Sequence, residues 1–251
     1  MPQYFQRGFG PLCSVLLPTR GRVKDLCEAV DSLYSLAQNK DNVEFVFKAD
    51  TDDLPTIRFI ESLKELIGES KVKAVISPRG DGYHSMHEWC TAMALVSTGD
   101  WLLLFNDDAR MRTEGWDGYL RGADLDGTWH KVSDVCLLVA PTLRAVGGQL
   151  ALDPFVNEFI FMRRKCVEIM GHFSASPHND NYLWSVFLLV ASAFRADIIH
   201  VTHLSEHMKD EVREASEAAY KVTVPQLNSP EVIKCKLEDA AKLLAYVEGR
   251  L

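Results

Sequence analysis

The chain has 251 residues, of which 47% are hydrophobic and 25% charged, and its formal net charge at pH 7 is −8. This length suits one large α/β domain or two small ones, and the composition is typical of a soluble globular protein. The negative charge argues against nonspecific binding to nucleic acid or to an anionic membrane. We therefore expect no nucleic-acid partner.

The cysteines and the apolar tracts indicate where such a protein works. The six cysteines are scattered without a C-x-x-C pair, and several lie in apolar segments, which indicates free buried thiols in a reducing compartment. The N-terminus MPQYFQRGFG lacks the apolar region of a signal peptide. The longest apolar tract, residues 182–194, is too short to span a bilayer. These features predict a cytoplasmic protein without a membrane span.

Short apolar runs alternate with segments of helical periodicity in the first half of the chain. The runs predict strands at residues 13–17, 43–47, 72–76 and 101–105, and the last of these is expected to be buried on both faces. The segments between them predict helices, and the residues of the second helix that should face the core are Ile57, Ile60, Leu63 and Leu66. This repetition predicts an α/β fold, in which a mostly parallel central sheet carries helices on both faces.

Polar residues follow the first two strands at their carboxyl ends, where open α/β sheets bind ligands. Pro18, Thr19 and Arg20 come directly after the first strand, and Arg22 precedes the following helix. Guanidinium groups and a helix N-terminus together suit an anion such as phosphate. The loop therefore predicts a phosphate site, with solvated arginines as the alternative. Asp50 follows the second strand and adds a carboxylate at the same edge.

The stretch GDWLLLFNDD at residues 99–108 places three oxygen-bearing side chains directly after a buried strand. Two adjacent carboxylates, Asp107 and Asp108, repel each other unless a cation or a basic partner lies between them. Divalent cations such as Mg²⁺ prefer oxygen ligands and often bind one or two carboxylates together with substrate phosphates. The stretch therefore predicts a metal site, and an ordinary acidic turn is the alternative.

The sequence of the second half predicts strands at residues 136–141, 157–164 and 198–202, and a short helix at residues 165–170. Another apolar helix begins near Tyr182, so Asp180 is either its N-cap or a carboxylate presented at the helix mouth. The segment HVTHLSEH contains three candidate metal ligands, His200, His203 and His207. Because residues 198–202 predict a strand, helical ligand spacing does not apply to all three.

The segment SVLLPTRGRVKDLCEAVDSL resembles the start of a family 2-type glycosyltransferase of the GT-A fold. In that family a first strand ending in Pro-Thr-Arg opens the donor nucleotide site. The resemblance implies a nucleoside diphosphate sugar donor, of the UDP or GDP type, and an acceptor that the residues do not identify. It implies donor contacts from Pro18, Thr19, Arg20, Asp50 and Arg79.

The residues after the fourth strand resemble the Asp-x-Asp metal motif of the same family, with Asn106 in place of the first acid. The resemblance implies that Asn106 and Asp107 contact the donor. It implies that Asp108, with His203 as the late histidine, binds Mn²⁺ or Mg²⁺. The Gly-His-Phe turn at residues 171–173, followed by an acidic residue, resembles the family's catalytic-base segment and implies that Asp180 is the base.

These observations predict a GT-A-like domain at residues 1–205 and a helical C-terminal extension at residues 206–251. The extension could pack on that domain, hold the acceptor, or contact a second subunit in a homo-oligomer. The predicted activity is metal-dependent hexosyl transfer with inversion. One alternative is a non-catalytic nucleotide- or sugar-binding module, because Asn106 replaces the usual acid. The other is a sugar nucleotidyltransferase, although the loop after the first strand lacks a Gly-rich phosphate motif.

Overall fold

The computed structural model describes residues 11–125, 134–146, 149–153, 158–196, 199–204, 218–219 and 221–250. The first half of the chain alternates strands and helices: β1 (Cys13–Pro18), α1 (Val23–Ser35), β2 (Val43–Asp50), α2 (Leu54–Ile67), β3 (Val72–Ser77), α3 (Met86–Val96) and β4 (Trp101–Leu104). The remaining elements are β5 (Ala109–Met111), α4 (Trp116–Leu125), β6 (Leu137–Ala140), β7 (Thr142–Val146), β8 (Gln149–Asp153), β9 (Phe159–Arg163), α5 (Arg164–Met170), α6 (Asn179–Leu189), β10 (Ala193–Arg195), β11 (Val201–His203) and α7 (Pro230–Val247).

The central sheet has seven strands in the order β10-β6-β9-β4-β1-β2-β3. All neighbouring strands are parallel except β9, which runs antiparallel to both β4 and β6. Successive residues of β1 point to opposite faces of the sheet. Val15 belongs to the hydrophobic cluster that includes residues of α1, α2 and α4, whereas Leu16 belongs to the cluster that includes residues of α3, α5, α6 and α7. The mostly parallel sheet with helices on both faces is therefore confirmed.

The prediction is wrong for one residue of the inner face of α2. Ile60 and Leu63 are buried as predicted, but Leu66 is 79% exposed. The buried stripe continues instead through Ile67, which packs partly against the core. The step from Leu63 to Ile67 is one of four residues, and this keeps the stripe on the core side of a helix with 3.6 residues per turn.

A second sheet has the order β5-β11-β7-β8, and three of its strands, β5, β7 and β8, lie outside the sequence prediction. Its strands have three to five residues, too few for a clear alternation of apolar and polar side chains. The predicted strand at residues 198–202 is confirmed only at its end, since β11 begins at Val201 and extends to His203. β11 pairs antiparallel with β5, so that His203 lies opposite Ala109. This register brings His203 next to Asp108.

The C-terminal helix α7 packs on α5 and α6 and contributes Ala240 and Leu243 to the core. Its Asp239 is only 1% exposed and accepts a hydrogen bond from Tyr182 Oη at 2.6 Å. His172 Nε2 lies 3.2 Å from the same carboxylate. The helix is therefore attached both to α6 and to the turn after α5. The boundary at residue 205 stays a prediction, and residues 206–217 of the predicted helical extension lie outside the described residues.

The cysteines follow the expectation of free thiols. No disulfide joins any of the six, and Cys13, Cys90, Cys136 and Cys166 are buried, whereas Cys27 is exposed. Within the described ranges, none of the helices combines the length and the hydropathy that a membrane crossing requires.

Replacing Asp239 with Ala should lower the free energy of unfolding by about 2–3 kcal/mol, because it leaves the buried Tyr182 hydroxyl without its acceptor. The neighbouring Glu238 is 56% exposed, and its one ion pair given by the described residues, with Lys234, is long at 3.8 Å. Glu238→Ala is therefore the matched control. It should change stability by less than about 0.5 kcal/mol. Urea unfolding measures both variants, and equal effects would contradict the anchoring role of Asp239.

Candidate functional site

The site lies at the carboxyl ends of β1, β2 and β4, where the loops after these parallel strands meet. Thr19 N–H donates to the carbonyl of Lys48, and Thr19 Oγ1 donates to Asp107 at 2.7 Å. An open cleft beside these contacts has a mostly polar lining that includes Pro18, Arg20, Arg22, Asp50, Arg79 and Trp89. The structure thus brings the predicted donor residues of the first three loops to one cleft.

Asp50 is held between two cations on the floor of this cleft. Arg20 Nη1 lies 2.6 Å from Asp50 Oδ2, and the Lys48 ammonium forms an ion pair with Oδ1. The same ammonium lies 4.5 Å from the ring centre of Trp89. Arg20 also binds Asp52 at 2.6 and 3.0 Å, and this hydrogen bonding lowers the pKa of Asp52. The cleft therefore presents fixed cationic groups beside an aromatic ring.

Asp53, which follows the same strand, has a different task. Its carboxylate accepts from Thr56 Oγ1 at 2.6 Å and from Thr56 N–H at 3.3 Å, and so caps α2. It also accepts from Gly21 N–H at 2.7 Å. Gly21 has φ of 68°, a left-handed conformation that side-chain-bearing residues rarely adopt. Asp53 therefore fixes the turn that carries Arg20 and Arg22.

Arg22 contacts both carboxylates of the segment that resembles the Asp-x-Asp metal motif, Asp107 and Asp108. Its guanidinium forms an ion pair with Asp107 and lies 3.3 Å from Asp108 Oδ2. Asp107 is 1% exposed, and burial raises its pKa to about 6 even though Arg22 and Thr19 favour the charged form. The repulsion between the two adjacent acids is thus offset by a basic partner.

His203 occupies the other side of Asp108. Its Nε2 lies 3.2 Å from Asp108 Oδ1, and its Nδ1 lies 2.8 Å from Glu158 Oε2. Burial alone would lower the pKa of His203, but hydrogen bonds to the two carboxylates outweigh burial and raise it to about 9. Asn106 Nδ2 is 3.5 Å from Nε2. His203 rather than His200 therefore reaches the motif; His207 lies outside the described residues.

Asp180 lies in the first turn of α6, which begins at Asn179 instead of near Tyr182. The interpretation of Asp180 as the N-cap is wrong, because His178 holds that position. Burial raises the pKa of Asp180 to about 6, and the negative charge of Glu158 adds to this effect. Glu158 thus lies near Asp180 while contacting His203 directly.

Asp108 and His203 are spaced as two neighbouring ligands in the coordination shell of a divalent cation would be. Their ligating atoms are 3.2 Å apart, close to the spacing of about 3 Å for two adjacent octahedral ligands at about 2.1 Å from Mg²⁺. In the part of the chain that the structure describes, no group of three His, Cys, Asp or Glu residues forms a metal site. Mg²⁺ commonly takes its other ligands from water and substrate phosphates, so two protein ligands suit it.

Glu158 was missed because the prediction looked for polar residues after strands. It precedes β9, but β9 is antiparallel to β4, so its beginning lies at the same edge as the end of β4. Recognising β9 as antiparallel would have revealed Glu158. Lys48 and Trp89 were also missed, since a lysine at a strand end and a tryptophan within a helix carry no specific signal.

The sequence matches no protein-family model and no curated protein. Solved structures do resemble it. A mannosyltransferase from Pyrobaculum calidifontis, PcManGT, solved in complex with GDP-Man and Mn²⁺, has a TM-score of 0.61 and 14% sequence identity. The match covers 96% of this chain and 74% of that one.

A second structural neighbour is S. aureus TarS, residues 1–349, in complex with UDP-GlcNAc. It has a TM-score of 0.56 and 16% identity, and the match covers 95% of this chain and 72% of that one. At sequence identities this low, structural similarity establishes the fold but not the function. The chain therefore has a GT-A-like glycosyltransferase fold, as the resemblance of its first strand and metal-like motif implied.

Replacing His203 with Gln should destabilise the protein most below about pH 6.5 and least above about pH 9. The pKa of His203 is raised from 6.5 to about 9 on folding. Its ion pairs are therefore fully present below the lower value and are lost as pH rises through the upper one. Urea unfolding of the wild type and the variant across this range measures the difference.

His200→Gln is the matched control, because the hydrogen bond of His200 to Thr113 comes from its backbone N–H. We expect the difference in the free energy of unfolding between this control and the wild type to change little with pH. A destabilisation by His203→Gln that is the same at both ends of the pH range would contradict the raised pKa.

Proposed function

We propose that the protein is a glycosyltransferase that moves a hexosyl group from a nucleoside diphosphate sugar to an acceptor hydroxyl, with inversion. The main support is that one sheet edge of a GT-A-like fold joins a cationic cleft, the Asp108–His203 pair and, through Glu158, a carboxylate of raised pKa. These groups come from widely separated parts of the chain. Only the folded sheet places them together.

The cleft would bind the donor nucleotide. Its groups are of the kinds a nucleoside diphosphate requires: Arg20, Arg22 and Arg79 for anionic oxygens, and Trp89 as an aromatic surface for a base. Pro18, Thr19 and Asp50 would shape the donor site, as the resemblance implies. Asp107 accepts a hydrogen bond from Thr19 at the border of this cleft, and Asn106 lies next to His203. Both would contact the donor, as the resemblance implies.

Asp108 and His203 would hold Mn²⁺ or Mg²⁺, each with one ligating atom facing the other. The ion supplies charge neutralisation of the diphosphate leaving group. Arg22, which lies on the opposite oxygen of Asp108, would add a second positive charge without competing for Oδ1.

Asp180 would act as the general base. The acceptor oxygen attacks the anomeric carbon, the bond from this carbon to the diphosphate oxygen breaks, and the diphosphate departs with the bonding electrons. The proton of the acceptor hydroxyl passes to an Asp180 carboxylate oxygen. A pKa of about 6 leaves this carboxylate ionised at neutral pH yet more basic than an ordinary aspartate, which favours proton transfer.

The nucleotide and metal sites can be tested by thermal unfolding with GDP, UDP and their sugars, with and without Mn²⁺. A ligand that binds only the folded state stabilises it by about 2.7 kcal/mol at about a hundred times its dissociation constant. We expect a shift with one nucleotide that grows with Mn²⁺, and Asp108→Ala should remove the Mn²⁺-dependent part. No shift with any nucleotide would contradict the proposal.

Replacing Asp180 with Asn should reduce turnover by about 100-fold to 10,000-fold, because the amide cannot accept the proton. Donor binding in the thermal assay should be unchanged. Asp41→Asn is the control, since Asp41 is exposed and pairs with Lys71. In the wild type, turnover should rise as pH passes about 6, where Asp180 ionises.

The alternatives give different results in the same assays. A non-catalytic module would bind a nucleotide sugar but show no transfer or donor hydrolysis in the wild type. A nucleotidyltransferase would release pyrophosphate from a nucleoside triphosphate and a sugar phosphate. Turnover of Asp180→Asn equal to that of the wild type would contradict the base assignment while leaving the donor site intact.

A further inference from the structure

Glu158 is partly buried between His203 and Arg144. Its side chain is 19% exposed, and each carboxylate oxygen has one charged partner: Oε2 lies 2.8 Å from His203 Nδ1, and Oε1 lies 2.6 Å from Arg144 Nη2. Arg144 Nε in turn lies 3.4 Å from Asp153 on the neighbouring strand β8. The carboxylate is therefore fixed in position from both ends.

This arrangement determines which way the His203 ring faces. A ring nitrogen that donates to a carboxylate leaves the other nitrogen directed away from it, and here that nitrogen, Nε2, faces Asp108 Oδ1 at 3.2 Å. A cation bound here would replace the proton that Nε2 otherwise directs at Asp108, and the proton held on Nδ1 by Glu158 would leave the Nε2 lone pair for the cation. The Phe159 ring packs edge-on against the same imidazole, with 5.8 Å between the two ring centres, and restricts the rotation of the imidazole.

The elements that carry these residues explain why the arrangement is rigid. His203 ends β11 and Arg144 lies on β7, and these two strands are paired in the small sheet. Glu158 precedes β9 of the central sheet. The Arg144–Glu158–His203 chain therefore links the two sheets at the edge where Asp108 lies.

We propose that Glu158 is a positioning residue that, anchored by Arg144, holds His203 Nε2 toward Asp108 and thereby builds the divalent-cation site. The inference rests on the proposed function, in which Asp108 and His203 bind the metal. Glu158 itself contacts neither donor nor cation in this role. Carboxylates that orient a metal-binding histidine in this way typically contribute about 10-fold to 100-fold to metal affinity.

The test measures Mn²⁺ binding directly, by the electron paramagnetic resonance signal of free Mn²⁺, in the presence of the nucleotide that the thermal assay selects. Glu158→Gln should weaken Mn²⁺ binding by about 10-fold to 100-fold, because the amide keeps the shape but presents an N–H₂ group to His203 or to Arg144. Nucleotide affinity without metal should stay at the wild-type value.

Glu168→Gln is the matched control, since Glu168 pairs with Arg164 on the exposed side of α5 and lies away from the site. It should bind Mn²⁺ as the wild type does. Arg144→Gln is a second variant that leaves Glu158 in place but removes its anchor, and a smaller loss of Mn²⁺ affinity is expected. It also provides the answer if Glu158→Gln does not fold, as judged by its thermal transition.

The outcomes separate this inference from the proposed function. If His203→Gln weakens Mn²⁺ binding but Glu158→Gln and Arg144→Gln do not, the positioning role of Glu158 is overturned and the metal site stands. If His203→Gln and Asp108→Ala also bind Mn²⁺ as tightly as the wild type, the metal assignment itself is wrong.

Discussion

The compensation of buried negative charge is the constraint on which this sheet edge depends. Carboxylates from three parts of the chain converge there, namely Asp50, the pair Asp107 and Asp108, and Glu158, and removing a partner from a buried ion pair typically costs about 3–5 kcal/mol. Each carboxylate has a basic neighbour: Arg20 and Lys48 for Asp50, Arg22 for Asp107 and Asp108, His203 for Asp108 and Glu158, and Arg144 for Glu158. The cleft is therefore already organised for charged ligands.

The antiparallel strands make this convergence possible. Parallel strands deliver only the residues that follow them to the ligand-binding edge, which accounts for Arg20, Asp50 and Asp108. Glu158 arrives there because β9 runs in the opposite direction, and His203 arrives because β11 pairs antiparallel with β5. The small sheet thus completes a site that the parallel strands only begin.

The same distinction explains how far the sequence predicts the structure. β1 to β4 were predictable because each is a short, mainly apolar segment that is followed by polar residues, and the donor-side loops follow from them. β5, β7 and β8 were not, because strands of three to five residues show no clear periodicity. Arg22 appeared only as a loop arginine, since its contact with Asp107 depends on a pairing across 85 residues. Glu158 required strand directions that no local pattern encodes.

Two carboxylates, Asp180 and Glu158, lie close enough for their charges to interact, and their surroundings assign them different tasks. Both oxygens of Glu158 are bound to cationic groups, which fix its carboxylate in place. The Asp180 carboxylate accepts long side-chain hydrogen bonds from Asn181, at 3.4 and 3.5 Å, and further hydrogen bonds from the backbone N–H groups of Asp180 and Asn181. Burial nevertheless raises the pKa of Asp180 to about 6, and the charge of Glu158 adds to this effect. A carboxylate that is more basic than usual suits a proton acceptor, whereas one bound to two cationic groups suits a fixed support.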